Sequence, residues 1–424
     1  MARKSLIYKA FILAGISLTG VVLGLILAEI GLRWLIPYQP GEPNPWEKYV
    51  GWAGHPYEIK RPNSIRVETK LINYNQNGIR DDAHTYDKPK NTYRILLIGD
   101  SYVESEQTGL AETFHKRLEN LLNSGSQQDS CKYEVVAAGG WGWGTDQELL
   151  YFEHEGYKYQ PDLTMLMFVY NDVCNNYVSC EARVEGQSAN NVLKPYFTLE
   201  KDQLVLNHFP YENPVSSWKY GDSLGGRLYR NLRVFQFSYE GLAGMGLIGA
   251  GDTTQRLDAD TEAHPATYIY ADEYSEDYLQ AWTLTKDLLR RFKNSVQENN
   301  SKFVLVSAST DFVTYPESWS AYTDVYPQLK AQTWNWKKPD LILEDFAKQE
   351  AIPFVPLQPG FKALASSESE RLHIPIDQHW SPKGHEVAAK LLQESLFDLG
   401  VVSDPAQGTD QNENSCLNPS FKDS

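Results

Sequence analysis

Tyr93-Arg94-Ile95-Leu96-Leu97-Ile98-Gly99-Asp100-Ser101 is the stretch on which the fold turns. Its apolar run is unbroken from Ile95 to Ile98 and stops at a glycine. A strand without polar alternation is buried on both faces, the condition of a parallel sheet covered by helices on each side. Beyond the glycine, Phe114, Leu118, Leu121 and Leu122 recur at helical spacing up to Gly125, so the unit reads strand, loop, helix. The same unit repeats downstream. Residues 133–137 predict a second strand, followed by a Gly-rich loop and a helix opened by the capping-box pattern Thr145-Asp146-Gln147-Glu148. Pro161-Asp162 punctuates before a third strand at 163–168. After an interruption, Ser275 caps a helix carrying Tyr278, Trp282, Leu288, Leu289, Phe292 and Val296, and 303–307 predicts a fourth strand. A helix around 340–349 leads to a fifth strand near 353–357. The last helix has Ser381 as cap and Pro382 in its first turn, and stops at Gly400. The fold class expected is α/β, a three-layer α/β/α sandwich around a mainly parallel five-stranded sheet.

Outside this core the chain changes character. Residues 10–28 carry no charge, and 19 positions at 1.5 Å rise span roughly 28 Å, close to a bilayer's hydrocarbon thickness. Arg3, Lys4 and Lys9 precede this run, and beyond it Arg33 is balanced by Glu29, so a transmembrane helix with its N-terminus in the cytoplasm is expected. The alternative is a cleaved signal peptide, but Ile26, Leu27 and Glu29 around Ala28 lack a small-x-small cleavage pattern. The domain plan is 1–37 as cytoplasmic N-terminus and anchor, 38–92 as an extension of short strands and turns, and 93–402 as the main domain. Within the main domain, about 181–271 is an insertion with a hairpin between Tyr196 and Leu206; 403–424 is a disordered tail. In a chain facing an oxidising compartment, Cys174 and Cys180 are spaced to close a small loop, while Cys131 and Cys416 have no assigned partner.

Composition limits the function. With 39 Lys+Arg against 55 Asp+Glu the 424-residue chain has a formal charge of -16, and no basic run suits a nucleic-acid backbone. Hydrophobic content of 42% excludes a disordered chain, and a mean hydropathy of -0.47 excludes a multi-span membrane protein. Neither Cys-x-x-Cys nor His-x-x-x-His occurs, so no metal site is expected.

Chemistry on an open parallel sheet gathers at the carboxyl ends of strands. The first strand ends in Gly99-Asp100-Ser101, the second in Gly139-Gly140-Trp141-Gly142-Trp143-Gly144, and the third in Tyr170-Asn171-Asp172. Asp377-Gln378-His379-Trp380 precedes the last helix, where a carboxylate and an imidazole at i and i+2 share one side of an extended segment. Together these supply a nucleophile, a base, its orienting acid and oxyanion donors. His385 lies inside the last helix, and His373 has no acid similarly placed. Trp141, Trp143, Trp334 and Trp336 suit either sugar stacking or packing.

The order Gly99-Asp100-Ser101, Gly142, Asn171-Asp172, then Asp377 and His379 resembles the SGNH/GDSL hydrolase superfamily, over about residues 91–400. The chain differs from the family pattern at Tyr102, often Leu, at Ala137, often Asn, and at Val169, usually Gly. Its Asp and His are two apart instead of three, and Asp-x-His-Trp is similar to the extracytoplasmic branch that O-acetylates exopolysaccharides such as alginate. The resemblance implies an SGNH/flavodoxin-like fold, Ser101 as nucleophile, His379 as base and Asp377 as its orienter. It also implies an oxyanion hole from the amides of Ser101 and Gly142 and the side chain of Asn171, with no cofactor and no metal. The activity it implies is hydrolysis of acyl, particularly acetyl, esters of a polysaccharide or other envelope substrate, on the periplasmic side of the membrane. Transfer of the acyl group to a sugar hydroxyl, or a non-catalytic envelope scaffold, are the other readings.

Overall fold

The computed structural model describes residues 2–35, 46–51, 74–124, 131–184, 194–211, 223–244 and 263–402. Its main sheet comprises β1 (Thr92–Gly99), β2 (Lys132–Gly139), β3 (Leu163–Phe168), β6 (Lys302–Ser307) and β7 (Phe354–Pro356), in the order β2-β1-β3-β6-β7. All four pairings are parallel. A separate antiparallel hairpin joins β4 (Tyr196–Glu200) to β5 (Gln203–Asn207), where the sequence places it.

Side chains alternate between two cores. Leu96, Ile98, Val136, Leu166 and Leu305 face the helices Thr145–His154, Glu276–Glu298 and Lys338–Gln349. Ile95, Leu97, Val135, Met165 and Val304 face Phe114–Asn123, Gln358–Leu364 and Pro382–Asp398. The four residues Ile95 to Ile98 are wholly buried, and each such aliphatic side chain contributes about 1.5–3 kcal/mol. The double burial explains why the motif strand reads as one apolar run.

The sheet order also determines where a site can form. From β1 the chain goes outward to β2 by way of helix Phe114–Asn123, then crosses beyond β1 to β3 by way of Thr145–His154 on the opposite face. The strand order reverses at the carboxyl ends of β1 and β3, which opens a crevice there. In register, Gly99 lies opposite both Gly139 of β2 and Met167 of β3, so the three strand-end segments leave the sheet side by side.

The described residues bear on several further expectations. The described parts of 38–92 hold the short helix Glu47–Val50 and turns, with no strand before Thr92. They are tied down by charge. Asp81 contacts Lys116 Nζ at 2.5 Å, His84 Nε2 at 3.2 Å and the backbone N–H of Ala137 at 2.9 Å. Inside the insertion, the Gly-rich stretch has no clear sequence period, yet it contains helices Leu224–Asn231 and Arg233–Gly244. The helix expected from the Thr145 capping box starts at Thr145, but its cap is Gly144, whose N–H reaches the Gln147 side chain at 3.4 Å. Cys174 and Cys180 form a disulfide. Cys131 is also disulfide-bonded, its other half lying outside the described residues. The tail 403–424 lies outside them too. The first helix, Ala2–Leu35, contains a 23-residue span, Ile12–Trp34, of mean hydropathy 2.1 with none of its apolar window buried, long enough to cross a membrane.

Candidate active site

Ser101 opens the short helix Ser101–Glu104 directly after β1. Asp100 caps that helix by accepting the Tyr102 N–H at 2.9 Å, leaving the Ser101 N–H outside the cap. Gly139 makes the turn possible: a Cβ there would lie 2.7 Å from the Asp100 carbonyl oxygen and 2.4 Å from Glu104 N.

Although 278 residues apart in sequence, Ser101 Oγ and His379 Nε2 are 2.8 Å apart. On the far side of the ring, His379 Nδ1 lies 2.7 Å from Asp377 Oδ1, which also accepts the His379 backbone N–H at 3.4 Å. The arrangement holds the imidazole by one edge and points the other at the serine hydroxyl. The segment is not extended as the sequence suggests. Ile376 and Gln378 have φ of 72° and 69°, so Asp377 sits between two left-handed residues in a tight loop closed by Gln378 N–H to Ile374 O at 2.8 Å. A β-branched side chain rarely adopts that conformation, and strain of this kind persists only where neighbours enforce it. Two neighbours do so. Tyr102 Oη donates to the Gln378 carbonyl at 3.0 Å, with its ring 4.9 Å from that of His379. Trp380, wholly buried, donates to Ser309 Oγ at 2.9 Å and packs on Tyr102, Phe114 and Phe361.

Asn171, at the end of β3, reaches the same turn. Its Nδ2 donates to Asp100 Oδ2 at 3.0 Å and to Asn175 Oδ1 at 2.9 Å, so both amide hydrogens are directed within the protein. Gly142 has φ +69°, with open space where a Cβ would stand, on the loop that leaves β2 beside Gly99. Of the four tryptophans, Trp141 is 53% exposed on that loop, while Trp143 is wholly buried against Trp46 and Tyr151. Trp334 and Trp336 each pack 4.8 Å from Trp319.

Around the serine turn stand four buried carboxyls, of which the strand-end motifs contain only Asp100 and Asp172. Asp100, Asp146, Glu148 and Asp172 are all buried. One buried ammonium, Lys194, contacts Asp146 at 2.9 Å. Burial raises all four; Asp172 raises Glu148 further, Asp100 raises Asp172 further, and Lys194 opposes the rise at Asp146. Burial and mutual repulsion therefore push Glu148 and Asp172 toward their neutral forms. Lys194 lies in the insertion with no motif around it, so only tertiary contact reveals it.

The other two histidines named from the sequence are buried away from Ser101 in packing contacts. His385 accepts the Phe114 N–H at 3.3 Å and stacks on the Phe114 ring, and burial lowers it. His373 is wholly buried beside Ser309, and burial pushes it down to about 3. A cavity of about 570 Å³ opens beside the disulfide, lined by Tyr177, Tyr268, Glu273, Asp277, Gln328 and Gln332 among others. Its wall begins at Tyr177, just past helix Asp172–Asn176 that follows Asn171.

No family model matches the chain, and no curated protein matches it. Solved structures do, at low identity. A catalytic mutant of Axe2, an acetylxylan esterase from Geobacillus stearothermophilus, is 11% identical, covering 72% of this chain and 94% of its own, with a TM-score of 0.36. The acetyl xylan esterase AlAXEase is 11% identical over 72% and 99%, with a TM-score of 0.36. A putative GDSL-like lipase from Parabacteroides merdae is 13% identical over 74% and 98%, with a TM-score of 0.35. Likeness this remote carries no weight for function, and the geometry around Ser101 stands by itself.

Proposed function

We propose that the chain is a membrane-anchored, extracytoplasmic serine esterase that removes acetyl groups from a carbohydrate or other envelope ester through an acyl-Ser101 intermediate. The observation that carries this reading is the continuous contact from Ser101 Oγ through the His379 ring to Asp377, at 2.8 and 2.7 Å. His379 Nε2 takes the Ser101 hydroxyl proton as Oγ attacks the ester carbonyl carbon. The tetrahedral intermediate collapses, and the leaving alcohol takes that proton from Nε2. Water then gives a proton to Nε2 and attacks the acyl carbon; Ser101 leaves and regains the proton, releasing acetate. Asp377 keeps Nδ1 as the donor edge and stabilises the transient imidazolium.

The N–H groups of Ser101 and Gly142 are the backbone donors for the oxyanion, each worth about 100- to 1000-fold. In this role Asn171 exchanges its bond to Asn175 or Asp100 for one to the substrate oxygen. Exposed Trp141, on the same loop as Gly142, favours a sugar-bearing substrate, because aromatic rings pair with sugar faces. Retention of the first helix is supported by the missing small-x-small pattern around Ala28, and its end is tied to the insertion: Glu29 accepts the Val234 N–H at 2.9 Å and Arg33 donates to Asn231 O at 2.7 Å.

The test is hydrolysis of p-nitrophenyl acetate by the full chain in detergent micelles, with the acyl-enzyme trapped by mass spectrometry. Ser101→Ala abolishes both turnover and labelling while circular dichroism is unchanged. Turnover that survives this substitution removes Ser101 as nucleophile. Release of the acetyl mainly onto an added oligosaccharide, despite excess water, makes the enzyme a transferase.

A further inference from the structure

The insertion helices Leu224–Asn231 and Arg233–Gly244 are fastened to the end of the first helix. Glu29 Oε2 accepts the backbone N–H of Val234 at 2.9 Å, and Arg33 Nη2 donates to the carbonyl of Asn231 at 2.7 Å. Arg33 is itself held by Glu29 at 2.7 Å, so the junction between the two short helices rests on one turn of the long one. That turn is the far end of the apolar span Ile12–Trp34. A bilayer core about 30 Å thick is crossed by about 20 helical residues, which brings residues 29–34 to the headgroup level on the outer side.

The pair at this level is unusually apolar on its surface. Leu224 is 74% exposed, Phe237 58%, Leu232 41% and Leu242 40%. Outside the first helix these are four of eleven exposed large apolar side chains among the described residues, gathered within 223–244. Water is a poor environment for such a group, and patches of this kind mark contact surfaces. The occupant is decided by position, because whatever touches helices bound to residues 29–33 must lie at the membrane surface.

We propose that helices Leu224–Asn231 and Arg233–Gly244 lie in the headgroup layer, with Leu224, Leu232, Phe237 and Leu242 inserted toward the acyl chains. This rests on the reading of the first helix as a retained anchor. The seat gives the catalytic domain a second attachment beside its tether and so restricts how it can tilt over the membrane. Residues 223–244 carry three arginines against one glutamate, which adds attraction to anionic lipid, whereas on a zwitterionic surface the attachment is apolar and persists in high salt.

No described cysteine is free, which permits single-site labelling. Phe237→Cys and Leu242→Cys are labelled with the environment-sensitive fluorophore NBD and reconstituted as full chains into phosphatidylcholine vesicles, some carrying a nitroxide on the upper acyl chain. Leu341→Cys, 50% exposed on the sheet-packed helix Lys338–Gln349, is the aqueous reference. The expected result is nitroxide quenching about threefold stronger at 237 and 242 than at 341, unchanged by high salt. Quenching equal to that at 341, or a blue-shifted emission without quenching, means water or protein covers the patch and overturns the seat. A chain that fails to float with vesicles overturns the anchor and the seat together. One that floats without quenching at 237 and 242 keeps the anchor and loses only the seat.

Discussion

Replacing Asp377 by Asn removes a charge while keeping the side chain's shape. Asp377 Oδ1 stands 2.7 Å from Nδ1 of His379, so during the reaction a carboxylate faces an imidazolium with charge centres about 4 Å apart. The pair is only partly shielded, with side chains 9% and 17% exposed, so an effective dielectric near 20 applies and the attraction is about 4 kcal/mol. At 1.36 kcal/mol per decade, losing it slows kcat by about 1000-fold. If the new amide turns its NH2 toward the ring, the tautomer reverses, Nε2 carries the proton, and the loss grows to about 10,000-fold. The backbone N–H of His379, 3.4 Å from Oδ1, favours keeping the oxygen in place, so the smaller figure is the expected one. The assay is stopped-flow hydrolysis of p-nitrophenyl acetate by parent and variant, with a thermal melt of each and ring ¹⁵N shifts of His379 to read the tautomer. A folded variant whose kcat stays within about tenfold of the parent would refute the assignment of Asp377 as the orienting acid.

Two further outcomes follow from contacts around the site. Tyr102→Phe deletes the donor to the Gln378 carbonyl at 3.0 Å and leaves the ring, which costs about 1 kcal/mol of stability; kcat falls about fivefold with little change in KM, and Tyr102→Leu loses more because the packing on Trp380 goes as well. An unchanged kcat with the expected drop in melting temperature would make Tyr102 structural only. Two histidines bear on stability against pH in opposite directions. Burial would lower His84, but its bonds to Asp81 and Glu134 outweigh this and push it up to about 9, so its contribution is complete below about 6.5 and is lost as pH rises through 9. His373, pushed down to about 3 by burial, acts in the opposite window: between 6.5 and 3 the unfolded ring takes a proton that the native ring refuses, and stability falls as pH falls. Chemical denaturation across that range checks the shape, and His84→Gln should flatten the alkaline limb alone.

Much of the architecture is legible because burial on two faces leaves a local mark. The run from Ile95 to Ile98 cannot be an exposed strand, and its repetition at 163–168 and 303–307 is enough to require a parallel sheet with helices on both sides. The strand ends then show where chemistry gathers: Ser101 is readable at the end of the first strand, and Asp377 and His379 as an acid and imidazole pair ahead of the last helix. Sequence also marks the apolar first helix, since membrane-crossing length is a property of consecutive residues. Tertiary structure alone decides which histidine meets the serine, because 278 residues of chain close onto a 2.8 Å contact that no spacing encodes. It decides that Asp377 sits in a left-handed loop instead of an extended segment, since the strain is sustained by Tyr102 and Trp380 from elsewhere in the fold. It likewise separates exposed Trp141 from buried Trp143, two residues apart, and brings Lys194 from the insertion to the carboxyls behind the serine. Local patterns record how each segment meets water; long-range pairing depends on which surfaces fill one another's space, and that is settled only when the whole chain packs.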